Sequence, residues 1–139
     1  MIEEKIFFKK RVSFQKVLTL LANAVLDCRK NKNFDGRELA IWNANICSCS
    51  HRNEQSLSVE IPYGIETMDS LLVLGIINIS NYGKISIIIN QPRELNVVSY
   101  VMPYDTEILG ILFEGDDYSQ DPNKSVLSAM YNSLANCSC

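Results

Sequence analysis

The sequence predicts an α+β fold in which an antiparallel sheet of five to seven strands carries an N-terminal and a C-terminal helix on one face. Apolar side chains recur at three- and four-residue spacing near both ends of the chain, as in amphipathic helices. The region between them is rich in β-branched residues and is divided by short turns that contain Gly or Pro. Because 139 residues can bury one hydrophobic core but not two, we predict a single domain over residues 1–139.

The first helix is predicted over residues 13–32. Ser13 can cap its first turn, and Arg29, Lys30 and Lys32 occupy the end at which the helix dipole favours cations. The helix therefore buries one face and presents a basic end. Its apolar stripe consists of Phe14, Val17, Leu18, Leu21, Val25 and Cys28.

A strand is predicted over residues 38–49. Because side chains alternate between the two faces of a strand, the even-numbered positions would face the core. Cys47 and Cys49, together with His51 beyond the strand, would then project on the more polar side. The even-numbered set is Ala40, Trp42, Ala44 and Ile46.

The middle of the chain is predicted to form antiparallel strands joined by short turns. One segment, residues 67–80, also fits a helical stripe capped by Thr67, so both alternatives stay open. Gly75 and the Asn-Tyr-Gly turn after it favour a strand over 71–79 that forms a hairpin with the next strand. The other strands are predicted over residues 57–61, 84–90, 95–102 and 107–114.

A second helix is predicted over residues 122–136. Asp121 would be its N-cap, and Pro122 would occupy the first helical position, where a missing backbone donor has no cost. Its apolar stripe consists of Leu127, Met130, Tyr131 and Leu134.

Charge is divided unevenly along the chain. Residues 1–37 hold nine Lys or Arg against four acids, and residues 38–139 hold four against twelve. The basic part could bind an acidic partner, a small anion or a second copy of the chain, or could simply be a solvated face. The acidic remainder would repel a long polyanion, so nucleic acid is not an expected partner. The candidate binding residues are Lys9, Lys10, Arg11, Arg29, Lys30, Lys32 and Arg37.

The five cysteines are expected to be reduced. The N-terminal residues carry acids where a signal peptide needs positive charge, and the longest apolar run, Leu71 to Ile77, is too short to span a bilayer. We therefore expect a cytoplasmic protein without a membrane segment. In that compartment an odd number of cysteines does not indicate a disulfide framework.

Cys47, Cys49 and His51 are the candidate metal or redox residues. In a strand the two thiols would lie roughly 6.6 Å apart, whereas structural zinc sites gather their sulfurs from tight Cys-x2–4-Cys turns. We therefore predict that these cysteines are ordinary structural thiols and do not form a metal or redox site.

The motifs of common enzymes are missing from the sequence. His51 is its only histidine, and neither a nucleophile elbow nor a phosphate-binding Gly motif is present. We expect a non-enzymatic, cofactor-free binding protein of the adaptor, chaperone, inhibitor or immunity type, which sequesters or occludes a partner and forms a homodimer. The alternatives are a binder of a small anion such as a nucleotide at a basic, intersubunit pocket, and a thiolate metal or redox site.

Overall fold

The computed structural model describes residues 2–50, 55–61, 71–80, 82–92, 98–115 and 123–136. Helices and strands follow one another in a mixed order, which confirms the α+β class. In chain order they are β1 (Ile2–Ser13), α1 (Phe14–Cys28), α2 (Gly36–Ser48), β2 (Ser56–Glu60), β3 (Leu71–Ile79), β4 (Gly83–Asn90), β5 (Ser99–Pro103), β6 (Glu107–Gly115) and α3 (Val126–Ala135).

The described strands form two antiparallel sheets rather than the single sheet of five to seven strands that was predicted. The larger sheet has four strands in the order β1-β6-β4-β3, and the smaller pairs β2 with β5. The division arises because β4 pairs with β3 on one side and with β6 on the other. β5 therefore finds no free edge on β4 and pairs with the distant β2.

Alternation along the central strand β4 places Ile85, Ile87 and Ile89 in the core, where all three are almost fully buried. In the neighbouring strand β6, Ile111 lies opposite Ile87 and Phe113 lies opposite Ile85. These side chains form one hydrophobic core with apolar residues of α1, α2 and α3.

The N-terminal strand β1 precedes the first helix, in a region where the sequence pattern predicted no element. Phe7 pairs with Gly110 and Val12 pairs with Ile108, so four residues of β1 face the single Leu109 of β6. This bulge holds Lys9, Lys10 and Arg11. Charges at the edge of a sheet discourage pairing with another strand.

The segment that was ambiguous between helix and strand forms β3 over Leu71–Ile79, as the favoured alternative predicted, and residues 67–70 lie outside the described part of the chain. β3 and β4 form the expected antiparallel hairpin. Gly83 follows the turn with φ of 134°, a conformation that residues with a side chain rarely adopt.

The strand predicted over residues 38–49 is wrong, because this segment forms α2. Asp35 is its N-cap and accepts a hydrogen bond from the backbone N–H of Arg37 at 2.9 Å. Leu39, Trp42 and Ile46, at spacings of three and four, are the buried side chains of α2. Of the predicted core set, Ala40 and Ala44 are exposed, so a period of 3.6 residues describes the segment and a period of two does not.

Both predicted terminal helices exist, with shorter bounds. α1 ends at Cys28, and Arg29 is its C-cap. α3 begins at Val126 after the N-cap Ser125, whose side chain accepts from the Ser128 N–H at 3.3 Å. The predicted cap and first residue, at positions 121 and 122, lie outside the described residues.

Candidate functional site

An open groove of about 740 Å³ lies between α1, the C-terminal end of α2 and the turn that joins β5 to β6. On the α1 side it is bounded by Gln15, Thr19, Ala22 and Asn23. Since these residues are four, three and one positions apart, they share one face of the helix. This face carries no charged residue. Leu18 of the buried apolar stripe of α1 also lines the groove, so the groove lies directly beside that stripe.

The opposite sides of the groove come from distant parts of the chain. Ile46, Cys47 and Ser50 line it from the end of α2. Gln55, just before β2, and Pro103, at the end of β5, line it from the side of the two-stranded sheet. Three elements that are remote in sequence therefore meet here. Apart from Asp105, the lining combines apolar side chains with neutral hydrogen-bonding groups.

Tyr104 joins these three elements. Its hydroxyl donates to the backbone oxygen of Cys49 at the end of α2 at 2.7 Å, and its backbone N–H donates to the Gln55 oxygen at 3.1 Å. Its own backbone oxygen accepts from the N–H of Gln15 at 3.0 Å. Its ring stacks on Phe14 with the ring centroids 5.6 Å apart.

The start of α1 is held by the same turn. The first N–H groups of a helix have no partner within the helix, and here Phe14 donates to the Thr106 oxygen at 2.9 Å while Gln15 donates to Tyr104. Ser13 caps the helix as predicted, because its side chain accepts from the Lys16 N–H at 3.1 Å. These contacts hold the β5–β6 turn in place against α1.

Asp105 is the one charged side chain among the described residues that line the groove. It also lines a smaller cavity of about 460 Å³, together with Arg11, Lys16 and Glu107. Arg11 Nε and Glu107 Oε2 lie 3.6 Å apart, but the exposure of both side chains makes this ion pair weak. The groove is thus uncharged except at the end where it meets the smaller cavity.

The seven candidate cations are all exposed, and the structure does not bring them together. Lys9, Lys10 and Arg11 lie in the bulge of β1, just before α1. The group at residues 29–32 follows the other end of this 15-residue helix, about 22 Å away at 1.5 Å rise per residue. Arg37 lies in the first turn of α2. None of the seven lines the groove, although Arg11 lines the smaller cavity.

The thiols of Cys47 and Cys49 lie in different environments, contrary to the prediction that both face solvent. Cys47 is exposed and lines the groove, whereas Cys49 is buried and its Sγ donates to the backbone oxygen of Ile76 at 3.5 Å. Burial raises the pKa of the Cys49 thiol. The difference arises because two positions in a helix are about 200° apart, whereas in a strand they share a face.

His51 lies outside the described residues, so the predicted trio cannot be placed as a whole. Within the described ranges, no three His, Cys, Asp or Glu side chains come together in a way that could hold a metal ion.

Sequence patterns did not single out Gln15, Asn23, Tyr104 or Asp105. One signal was readable: Gln15, Thr19, Ala22 and Asn23 share an uncharged face of α1, whereas basic residues flank both ends of the helix. No local sequence pattern identified Tyr104, because its contact partners are distant in the sequence. Gln55 lies 49 residues before it, and Phe14 lies 90 residues before it.

Comparisons with known protein families, curated proteins and solved structures found no match for this chain. In the described part of the chain, none of the helices combines the length and apolar character needed to cross a bilayer. Function is therefore inferred from the chemistry of the groove.

Proposed function

We propose that this chain is a non-enzymatic binding protein that holds a segment of a partner protein in the groove between α1, α2 and the β5–β6 turn. The carboxamides of Gln15, Asn23 and Gln55 around an apolar surface support this proposal most directly. A carboxamide both donates and accepts hydrogen bonds, as the backbone of a bound segment does. The apolar residues that also line the groove, such as Ile46 and Pro103, can receive uncharged side chains of that segment.

The contacts of Tyr104 favour binding because they fix the groove before a partner arrives. The walls are joined by hydrogen bonds of 2.7 to 3.1 Å between backbone or phenol groups. A site that is ordered in advance loses less conformational entropy on association. Such a groove can cover, and so sequester, part of a partner without a cofactor.

The alternative of a small anionic ligand has less support. The groove carries Asp105 and none of the seven candidate cations, so its charge opposes a nucleotide or phosphate. The exposed cations remain available for an acidic surface of a partner outside the groove. A metal or redox function has no support from the thiols, which face different surroundings.

Selection from a random peptide library displayed on phage tests the proposal. Asn23 is exposed on the wall of the groove, so Asn23→Phe should fill it without disturbing the core. Ala44→Phe is the matched control, because Ala44 is exposed on α2 and does not line the groove. We expect peptides that are enriched by the wild-type protein and by Ala44→Phe but not by Asn23→Phe. The absence of enrichment, or equal enrichment by all three proteins, would overturn the proposal.

A further inference from the structure

We infer that the groove selects partner segments in which a basic side chain adjoins a run of uncharged residues, and that Asp105 binds the basic group. This inference rests on the proposed function and specifies its partner. Asp105 lies where the larger groove meets the smaller cavity and lines both. A segment that lies in the groove therefore meets this carboxylate at one end.

The charges around Asp105 give the two sides of this carboxylate different character. On the side of the smaller cavity, Arg11 and Lys16 balance the carboxylates of Asp105 and Glu107. On the side of the larger groove, Asp105 is the only charge among the described lining residues. A cation that approaches through the groove is attracted, and an anion there is repelled.

Asp105 is also free to bind such a cation. Glu107 already has Arg11 at 3.6 Å, whereas Asp105 forms no ion pair with another described residue. Its side chain is exposed, so it has not lost its hydration in the unbound protein. The cation of a partner would reach this carboxylate through a groove whose other described lining residues are neutral.

The sequences of the selected peptides test this inference. Libraries are selected on the wild-type protein, on Asp105→Asn and Asp105→Lys, and on Glu107→Gln as a control for a nearby carboxylate that is already paired. The wild-type protein and Glu107→Gln should enrich Lys or Arg at one position beside uncharged residues. Asp105→Asn should lose this preference, and Asp105→Lys should enrich Asp or Glu there. Thermal melts followed by circular dichroism establish that each variant is folded.

Affinities measured with one enriched peptide give the size of the effect. Replacing its basic residue by Gln should weaken binding to the wild-type protein about two- to fivefold, the range for a solvent-exposed ion pair. The same replacement should have no effect on Asp105→Asn, and the difference should shrink as salt is added.

The failure of this inference can be distinguished from the failure of the proposed function. Peptides that require an unfilled groove but show no basic preference, or keep that preference with Asp105→Asn, would overturn the inference alone. If no peptide depends on the groove, the proposed function fails and the inference fails with it.

Discussion

Tyr104 makes four contacts that join three parts of the chain. Its hydroxyl bonds to the end of α2, its backbone bonds to the residue before β2 and to α1, and its ring stacks on α1. Each contact is modest alone, since a hydrogen bond contributes about 1 kcal/mol to stability. Their value is that one residue fixes the relative positions of the groove walls. The rigidity of the groove therefore depends on Tyr104.

We predict that Tyr104→Phe lowers the free energy of unfolding by about 1 kcal/mol, because the Cys49 oxygen loses the phenol that donates to it. The ring, and thus the stacking on Phe14, is retained. Tyr82→Phe is the matched control, since Tyr82 is exposed, and it should change stability by less than about 0.5 kcal/mol. Urea unfolding measures both, and equal losses would show that the hydroxyl of Tyr104 has no special role.

The Cys28 thiol gives a pH-dependent prediction. Cys28 is 5% exposed, and burial, with the charges of Asp27 and Glu38, raises its pKa from 9.0 to about 11. Between these values the unfolded chain releases a proton that the folded protein keeps, so the free energy of unfolding should fall as pH rises through this window.

Cys28→Ala should lose this contribution while keeping all other alkaline titrations. Urea midpoints measured below pH 9.0 and again between pH 9.0 and 11 should therefore decrease more for the wild-type protein than for the variant. Parallel decreases would mean that Cys28 does not titrate differently in the folded and unfolded chains.

At the scale of elements, α2 shows where sequence reasoning failed and why. Trp42 and Ile46 fit both a period of two and a period of 3.6, and the strand interpretation followed the wrong one. Asp35 and Glu38 have the spacing of a capping box, which marks a helix start. The residues that begin α2 therefore carried a helix signal that outweighs the apparent alternation after them.

Two proline substitutions test α2 directly. Ala44→Pro places proline in the interior of the helix, where it should cost about 3 kcal/mol of stability. Gly36→Pro places it in the first position after the cap Asp35, where a Cβ would meet no atom within 4 Å, and proline is tolerated there. Circular dichroism and urea unfolding should show a large loss for the first variant and little change for the second. Similar losses of stability in the two variants would contradict the assignment of this segment as a helix.

The strands illustrate what local patterns can and cannot predict. β3, β4 and β6 were predictable because their β-branched residues are bounded by turns. β1 was missed because its charged residues hide the alternation of Ile6 and Phe8, which are only half-buried. The pairing of β5 with β2 depends on which sheet edges are already occupied, and no short stretch of sequence contains that information.

At the scale of the whole molecule, the groove was also beyond local prediction, since it forms where α1, α2 and the β5–β6 turn meet. The charge asymmetry was readable from the sequence, but the structure distributes the cations over separate places rather than one pocket. Self-association stays a prediction. β1 has a basic bulge at its edge, whereas β3, at the other edge of the sheet, has no charged residue, so β3 is the edge better suited to a second chain.

The affinity of one wild-type-enriched peptide for three proteins, measured by fluorescence anisotropy, tests most directly whether the groove is the binding site. We predict that Asn23→Phe weakens binding by about tenfold or more, which corresponds to a loss of about 1.4 kcal/mol. Ala44→Phe should bind as the wild-type protein does. Equal affinity for all three proteins, or an equal loss for both variants, would contradict the assignment of this groove as the site that holds a partner.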